Sequence, residues 1–184
     1  MTVIGVVGRA GSGKSELTSY LEDKAGARKV SLEEVVLRDR SVEGRDELIE
    51  TYADIVKEKG DDFAAREVIG QLDEQPCDVC AIDGIRTTAE VERLRQEFGD
   101  QFVLVRVDVS HPQARIERLV EEESRGKPET MDELLGQDKR EDKLLGLSRT
   151  MGLADITVNN DGTMGAFHRN IEEELLHSDN LSGE

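Results

Sequence analysis

Gly8, Gly13, Lys14 and Ser15 stand in the spacing G-x-x-x-x-G-K-[ST], within the run Gly8-Arg9-Ala10-Gly11-Ser12-Gly13-Lys14-Ser15. That pattern cradles phosphates. At average residue frequencies a chain of 184 residues meets it by accident roughly once in a hundred cases. Gly8, Gly11 and Gly13 are expected to turn the backbone through positive φ and bring bare N–H groups against phosphate oxygens. Lys14 is long enough to reach the β and γ phosphates, and the Ser15 hydroxyl can ligate Mg²⁺. A carboxyl group completes such a site. The apolar run Val79-Cys80-Ala81-Ile82 ends in Asp83, and a strand-terminal aspartate beside a phosphate loop is the expected Mg²⁺ partner of Ser15. The whole octet is therefore read as a nucleoside triphosphate site, with ATP as donor and Mg²⁺ as its metal.

Such residues work only if a strand delivers them and a helix receives them. Val3 to Val7 is β-branched and apolar, and Lys14 to Lys24 is helix-capable. The start of that helix adds unpaired amides and a positive dipole end to the cradle. Further strands are expected at Arg28–Ser31, Val79–Asp83, Phe102–Asp108 and Ile156–Asn159, alternating with helical runs. That alternation predicts a three-layer α/β fold, a five-stranded parallel sheet with helices on both faces. Capping boxes mark four helix starts: Ser31 with Glu34, Thr87 with Glu90, Ser110 with Gln113, and Thr130 with Glu133. A single domain is expected over residues 1–178, with 179–184 as a flexible tail. Two stretches look inserted. Residues 33–75 are too long for a plain crossover and are expected to form a small helical lobe over the nucleotide site. Residues 115–148 are charge-dense and punctuated by Gly126, Pro128, Gly136 and Gly146, as a hinged lid would be.

Several of these segments resemble nucleotide kinases of the P-loop NTPase fold. Asp83-Gly84-Ile85-Arg86 resembles the Asp-Gly-x-Pro-Arg segment of adenylate kinases, one residue shorter and without the proline. The resemblance implies that Arg86 grips an acceptor phosphate. Val36-Leu37-Arg38 resembles the start of their acceptor-binding helices and implicates Arg38. The stretch Ala154 to Thr163 resembles the last strand and turn of dephospho-CoA kinases, where the backbone borders the adenine. Over nearly its full length the chain resembles an archaeal family of P-loop kinase-like proteins, sharing the phosphate loop, the I-D-G-I-R segment, the turn Glu97-Phe98-Gly99-Asp100 and the late V-N-N turn.

The basic residues after the fourth strand need separate weighing. Arg115, Arg118 and Arg125 stand where adenylate kinases carry lid arginines, and planar guanidinium forks suit a transferring phosphoryl group. Arg118 with Glu122, and Arg125 with Glu121, also have the spacing of helix ion pairs. Lys139 and Arg140 sit among Asp138, Glu141 and Asp142 and are weaker candidates. Arg66 faces either the acceptor or solvent.

Composition bounds the rest. Asp and Glu number 41 against 24 Lys and Arg, a net charge of -17, and only eight of the basic residues are lysine. Such a surface repels nucleic acid phosphates, so no nucleic acid partner is expected. The surplus resembles that of proteins from salt-loving organisms, where screening relieves self-repulsion. No apolar run is long enough for a membrane span. The chain enters its first strand at Thr2, so no signal peptide is expected and the location expected is cytoplasmic. Cys77 and Cys80 lack further zinc ligands, since His111, His168 and His177 are isolated, and they are expected to be free thiols.

The expected function is an ATP- and Mg²⁺-dependent phosphotransferase acting on a nucleotide-like acceptor such as a nucleoside monophosphate or dephospho-CoA. Lys14, Asp83, Arg86 and Arg118 are its candidate catalytic residues, and Arg38, Arg66 and Arg86 its acceptor contacts. Asp83 is also a candidate to take the acceptor hydroxyl's proton. The alternative is a regulatory ATPase without an acceptor. A GTPase lacks support, because no N-K-x-D segment is present. Leu181-Ser182-Gly183-Glu184 only mimics part of a transporter ATPase signature.

Overall fold

The computed structural model describes residues 1–38, 40–121 and 128–176. Its centre is β1 (Thr2–Val7), the middle strand of a five-stranded parallel sheet in the order β2–β3–β1–β4–β5. The others are β2 (Arg28–Ser31), β3 (Val79–Asp83), β4 (Phe102–Asp108) and β5 (Ile156–Asn159). These are the strands expected from the sequence, with β1 extended by one residue.

Alternating side chains send β1 to two different cores. Ile4 and Val6 pack with Leu17 and Leu21 of α1 (Lys14–Ala25) and with Phe167 and Ile171 of α9 (Met164–Ile171). Val3 and Val7 point the other way, to a larger core. That core draws on α2 (Leu32–Leu37), α3 (Arg45–Lys59), α4 (Phe63–Glu74), α5 (Thr88–Phe98), α7 (Met131–Leu145) and α8 (Leu147–Met151). Burying each such aliphatic side chain stabilises the fold by about 1.5–3 kcal/mol. Gly5 is required in this strand, because a Cβ there would lie 2.5 Å from Ile85 and 2.8 Å from Phe102.

Residues 33–75 do not stand apart as a lobe. Their three helices share the larger core with the sheet: Val36, Ile49, Tyr52, Ala65 and Leu72 are buried in the same cluster as Ile82 and Leu104. Hydrophobic burial against β2 and β3 won over the separate packing that length alone suggested. The 115–148 segment is likewise less hinge-like than its glycines imply. Gly136 is helical, inside α7, while Gly146 caps that helix at φ 72°. Gly126 lies outside the described residues, as do Arg125, Glu122 and the tail 179–184. α7 is held to α6 (Pro112–Glu121) by Leu134 against Ile116 and Leu119.

Ser31 and Thr130 each accept the third amide of their helix, and Thr87 with Glu90 forms a complete capping box. Ser110 does not cap. α6 starts at Pro112, suited to a first helical turn, and Ser110 instead binds Asp161 through its amide at 2.7 Å and its hydroxyl at 2.6 Å. Cys77 and Cys80 are not free thiols either: they are joined by a disulfide, their Cα atoms 6.0 Å apart. The turn before β3 brings them within bridging range, which compartment arguments could not reveal. Among the described residues no helix is long and apolar enough to cross a membrane.

Candidate functional site

β1 ends at Val7 and the chain wraps into the phosphate loop before α1 begins. Gly11 and Gly13 have φ of 71° and 103°, the left-handed region that glycine tolerates. Gly8 is needed for a different reason. Its φ is ordinary, but a Cβ would lie 2.7 Å from both Ser12 Oγ and Val107 O. The sequence reading of positive φ at Gly8 is thus replaced by close approach to β4. Side chains brace the loop from outside: Asn160 Nδ2 donates to Ser12 O (2.8 Å), and Arg115 Nε to Ala10 O (2.8 Å).

Lys14 is half-buried and donates to Arg9 O at 3.1 Å. Burial lowers its pKa to about 8; Asp83 works against that shift, while Arg45 and Arg86 add to it. Parallel register sets Asp83 opposite Val6, so strand β3 ends beside the loop. Ser15 Oγ donates to Asp83 Oδ2 at 3.1 Å. One hydroxyl and one carboxylate, both hard oxygen donors at the mouth of the loop, fit Mg²⁺, which takes few protein ligands and leaves the rest to phosphate and water.

Two sides of the loop differ in character. On one, a cavity of about 430 Å³ is lined by Gly11, Gly13, Lys14, Arg118, Asn160 and Met164, among others. Arg118 reaches it from α6, donating to Asn160 O at 2.7 Å and Gly11 O at 3.4 Å. On the other side, beyond Asp83, lies a charge network. Gly84 turns at φ 87° and delivers Arg86, which is buried. Arg86 Nη2 meets Glu33 Oε2 at 2.8 Å, its Nη1 meets Gly84 O at 3.3 Å, and its guanidinium stacks 5.0 Å from the Tyr52 ring. Glu90 holds the Arg86 and Thr87 amides at 2.8 and 2.9 Å and accepts the Tyr52 hydroxyl at 2.5 Å. Burial pushes the Glu90 carboxyl up, against the bonds from Tyr52, Thr87 and Arg86. Burial would also raise Glu141, but Arg45, Arg86 and Lys14 together hold it below its ordinary value.

α7 is the organiser that inspection of basic residues missed. Asp138 takes Arg115 bidentately, both distances 2.8 Å, Asp142 takes Arg9 at 2.7 Å, and Glu141 takes Arg45 at 2.6 Å. The i, i+3, i+4 spacing of these acids on one helix face was the available signal. Their partners come from the loop, α3 and α6, which no spacing rule links. Among the described residues Lys139 forms no ion pair, and Arg140 pairs at the surface with Asp46 (2.7 Å).

The structure thus gathers Lys14, Ser15, Asp83 and Arg86, and sets Arg118 on the side of the 430 Å³ cavity. Arg38 and Arg66 are not gathered. Arg38, at the far end of α2, pairs with Glu67, and Arg66 with Asp62 at 3.2 Å, all outside the network. Both pairs are satisfied locally at an exposed surface, so neither arginine is drawn inward.

Residues 4–143 match the family described as AAA domain. A UPF0200 protein of Saccharolobus islandicus is 33% identical over 93% of this chain and 90% of its own length. One of Methanoregula boonei is 34% identical over 97% of both chains. Among solved structures, a shikimate kinase from Bacteroides thetaiotaomicron superposes with TM-score 0.59 at 15% identity, covering 94% of this chain and 95% of its own. A gluconokinase from Sinorhizobium meliloti gives TM-score 0.56 at 15% identity, covering 92% and 89%. Those two likenesses show the fold, a P-loop kinase-type sheet. The relatives and the phosphate loop together show the family: this chain is a member of the UPF0200 family of AAA-domain P-loop proteins.

Proposed function

We propose that the chain is an ATP- and Mg²⁺-dependent phosphotransferase that moves the γ-phosphoryl group of ATP to a small acceptor. One observation carries the reading. Beyond the Ser15–Asp83 pair, on the side away from the donor cavity, buried Arg86 stands within an arginine–carboxylate network that electrostatically reaches Lys14. Water as acceptor needs no such cluster, whereas a substrate that must be oriented does. The loop amides and Lys14 would hold the donor phosphates. Arg118 would border the nucleoside rather than act as a moving lid. Ser15 and Asp83 would hold Mg²⁺, which when bound neutralises charge on the phosphates. Asp83 remains the candidate for the acceptor hydroxyl's proton. The acceptor grip rests on Arg86, since Arg38 and Arg66 are engaged elsewhere. We read the enzyme as cytoplasmic, where ATP is supplied, and its acid surplus as adaptation to high salt.

The test is a panel of ATP and Mg²⁺ with each nucleoside monophosphate, dephospho-CoA, shikimate, gluconate or no acceptor, scored for phosphorylated product by mass spectrometry. Product with one class names the substrate. Steady ATP hydrolysis that no acceptor accelerates, and that Arg86→Ala leaves unchanged, sinks the transferase reading in favour of a regulatory ATPase.

A further inference from the structure

Lys14 has a second arginine near it that arrives from the helical insertion. Arg45 opens α3 and places Nη2 2.6 Å from Glu141 Oε2, while Arg86 Nε lies 3.8 Å from Oε1 of the same carboxylate. One buried charge is thereby shared between two guanidinium groups, one at each oxygen. The Nε–H groups of both arginines are buried, and among the described residues no acceptor lies within hydrogen-bonding distance of either. Buried charged donors left unpaired are costly and call for an explanation, an absent ligand being one.

The remaining edge of Arg86 is held by Glu33. The carboxylates around this cluster are not alike, Glu90 being engaged with the Arg86 and Thr87 amides and the Tyr52 hydroxyl. Glu141 is 1% exposed and Asp83 is buried at the Mg²⁺ position, but the Glu33 side chain is 39% exposed. Glu33 can turn out to water without stranding a charge, and neither of the others can. Glu33, Glu141 and Asp83 face Lys14, Arg45 and Arg86 here, and Glu90 is a further carboxylate on the far side of Arg86 whose charge is disfavoured by burial. With Glu33 turned away, the Arg86 edge that it held is uncovered near the Arg45 guanidinium, and two forked cations sharing one carboxylate suit an incoming carboxylate or phosphate.

We propose that Arg45 and Arg86 form a clamp for a compact anionic group on the acceptor, a phosphate or a carboxylate, and that Glu33 occupies the clamp until that group displaces it. The ligand's being the acceptor rests on the phosphotransferase reading; the clamp itself does not. It makes Arg45 an acceptor-binding residue and sets the acceptor's class: a hydroxyl compound carrying an anion. A neutral polyol offers nothing to exchange for Glu33.

The experiment fills the phosphate loop first, with Mg²⁺ and a non-hydrolysable ATP analogue, and then titrates inorganic phosphate, or separately acetate, by calorimetry. Glu33→Gln should bind its preferred anion about tenfold more tightly than the wild type, since the internal competitor has lost its charge. Arg45→Lys keeps a charge, lacks the fork, and should bind about tenfold more weakly. Because Arg45→Ala would leave Glu141 unpaired and risks unfolding, the paired change Arg45→Gln with Glu141→Gln serves as the second variant and should also bind weakly. Equal affinity in all variants, or no binding of either anion to Glu33→Gln, overturns the clamp. A preference for phosphate over acetate assigns a phosphorylated acceptor, and the reverse a carboxylate. Variant-dependent anion binding with no product in the acceptor panel would keep the clamp and sink the transferase. Product formed with an unaltered acceptor KM in Arg45→Lys would do the opposite.

Discussion

The two sides of the phosphate loop are built on different principles. The donor side is local: Gly8 to Ser15 are contiguous, and backbone geometry at Gly11 and Gly13 does most of the shaping. The opposite side is assembled from afar. Arg86 comes from the β3 exit, Glu33 from α2, Arg45 and Tyr52 from α3, Glu90 from α5 and Glu141 from α7. A backbone cradle offers the same amides to every nucleotide triphosphate, whereas a side-chain network can be retuned one residue at a time. On the phosphotransferase reading, the donor side is therefore generic and the acceptor side particular to this chain.

That contrast predicts where substitutions hurt stability and where they hurt binding. The largest stability loss should follow Glu141→Ala, which strands Arg45 and Arg86 in a buried setting. Breaking such a pair costs about 3–5 kcal/mol, and urea denaturation should show it directly. A drop below 1 kcal/mol would mean that the network is not a structural unit. Lys14→Ala should act oppositely, leaving the fold intact while nucleotide binding weakens by about 1.5–3 kcal/mol as charge-assisted bonds are lost. Calorimetry with ATP analogue, alongside circular dichroism, separates the two effects, and turnover should vanish.

Tyr52→Phe is a finer probe of the far side. It leaves buried Glu90 short of its hydroxyl donor, at a cost of about 1–3 kcal/mol. Donor affinity should not move, and a loss of it would blur the division between the two sides.

The donor side should instead respond to pH through Lys14. Its pKa in the unliganded protein is about 8, and bound phosphates must raise it. Below pH 8 the ammonium form is already present and affinity should be flat. Above it each binding event takes up a proton, and affinity should fall by up to about tenfold per pH unit. Titrations from pH 7 to 9.5 test the sign; Lys14→Arg should abolish the slope. The gentlest expected effect is that of KCl. Screening the net charge of -17 should raise the melting temperature from low to molar salt, and a flat or falling series would remove the adaptation to salt.

The strands, the phosphate loop and the Ser15–Asp83 pairing were legible in the residues, because each depends on neighbours in sequence. Alternating apolar runs specify a parallel sheet, and a G-K-S turn after a strand leaves the backbone few other shapes. Arg38 and Arg66, expected as acceptor contacts, pair at the surface with Glu67 and Asp62. Arg45, Glu33 and Glu141 are ordinary charges on helices until packing sets them against one another. Sequence by itself determined the fold and the phosphate loop, since local propensity and short-range spacing specify both. Only the tertiary structure decided which charges are buried together, because a guanidinium's role depends on the carboxylate facing it and on the water excluded between them, and neither is encoded along a single stretch of chain.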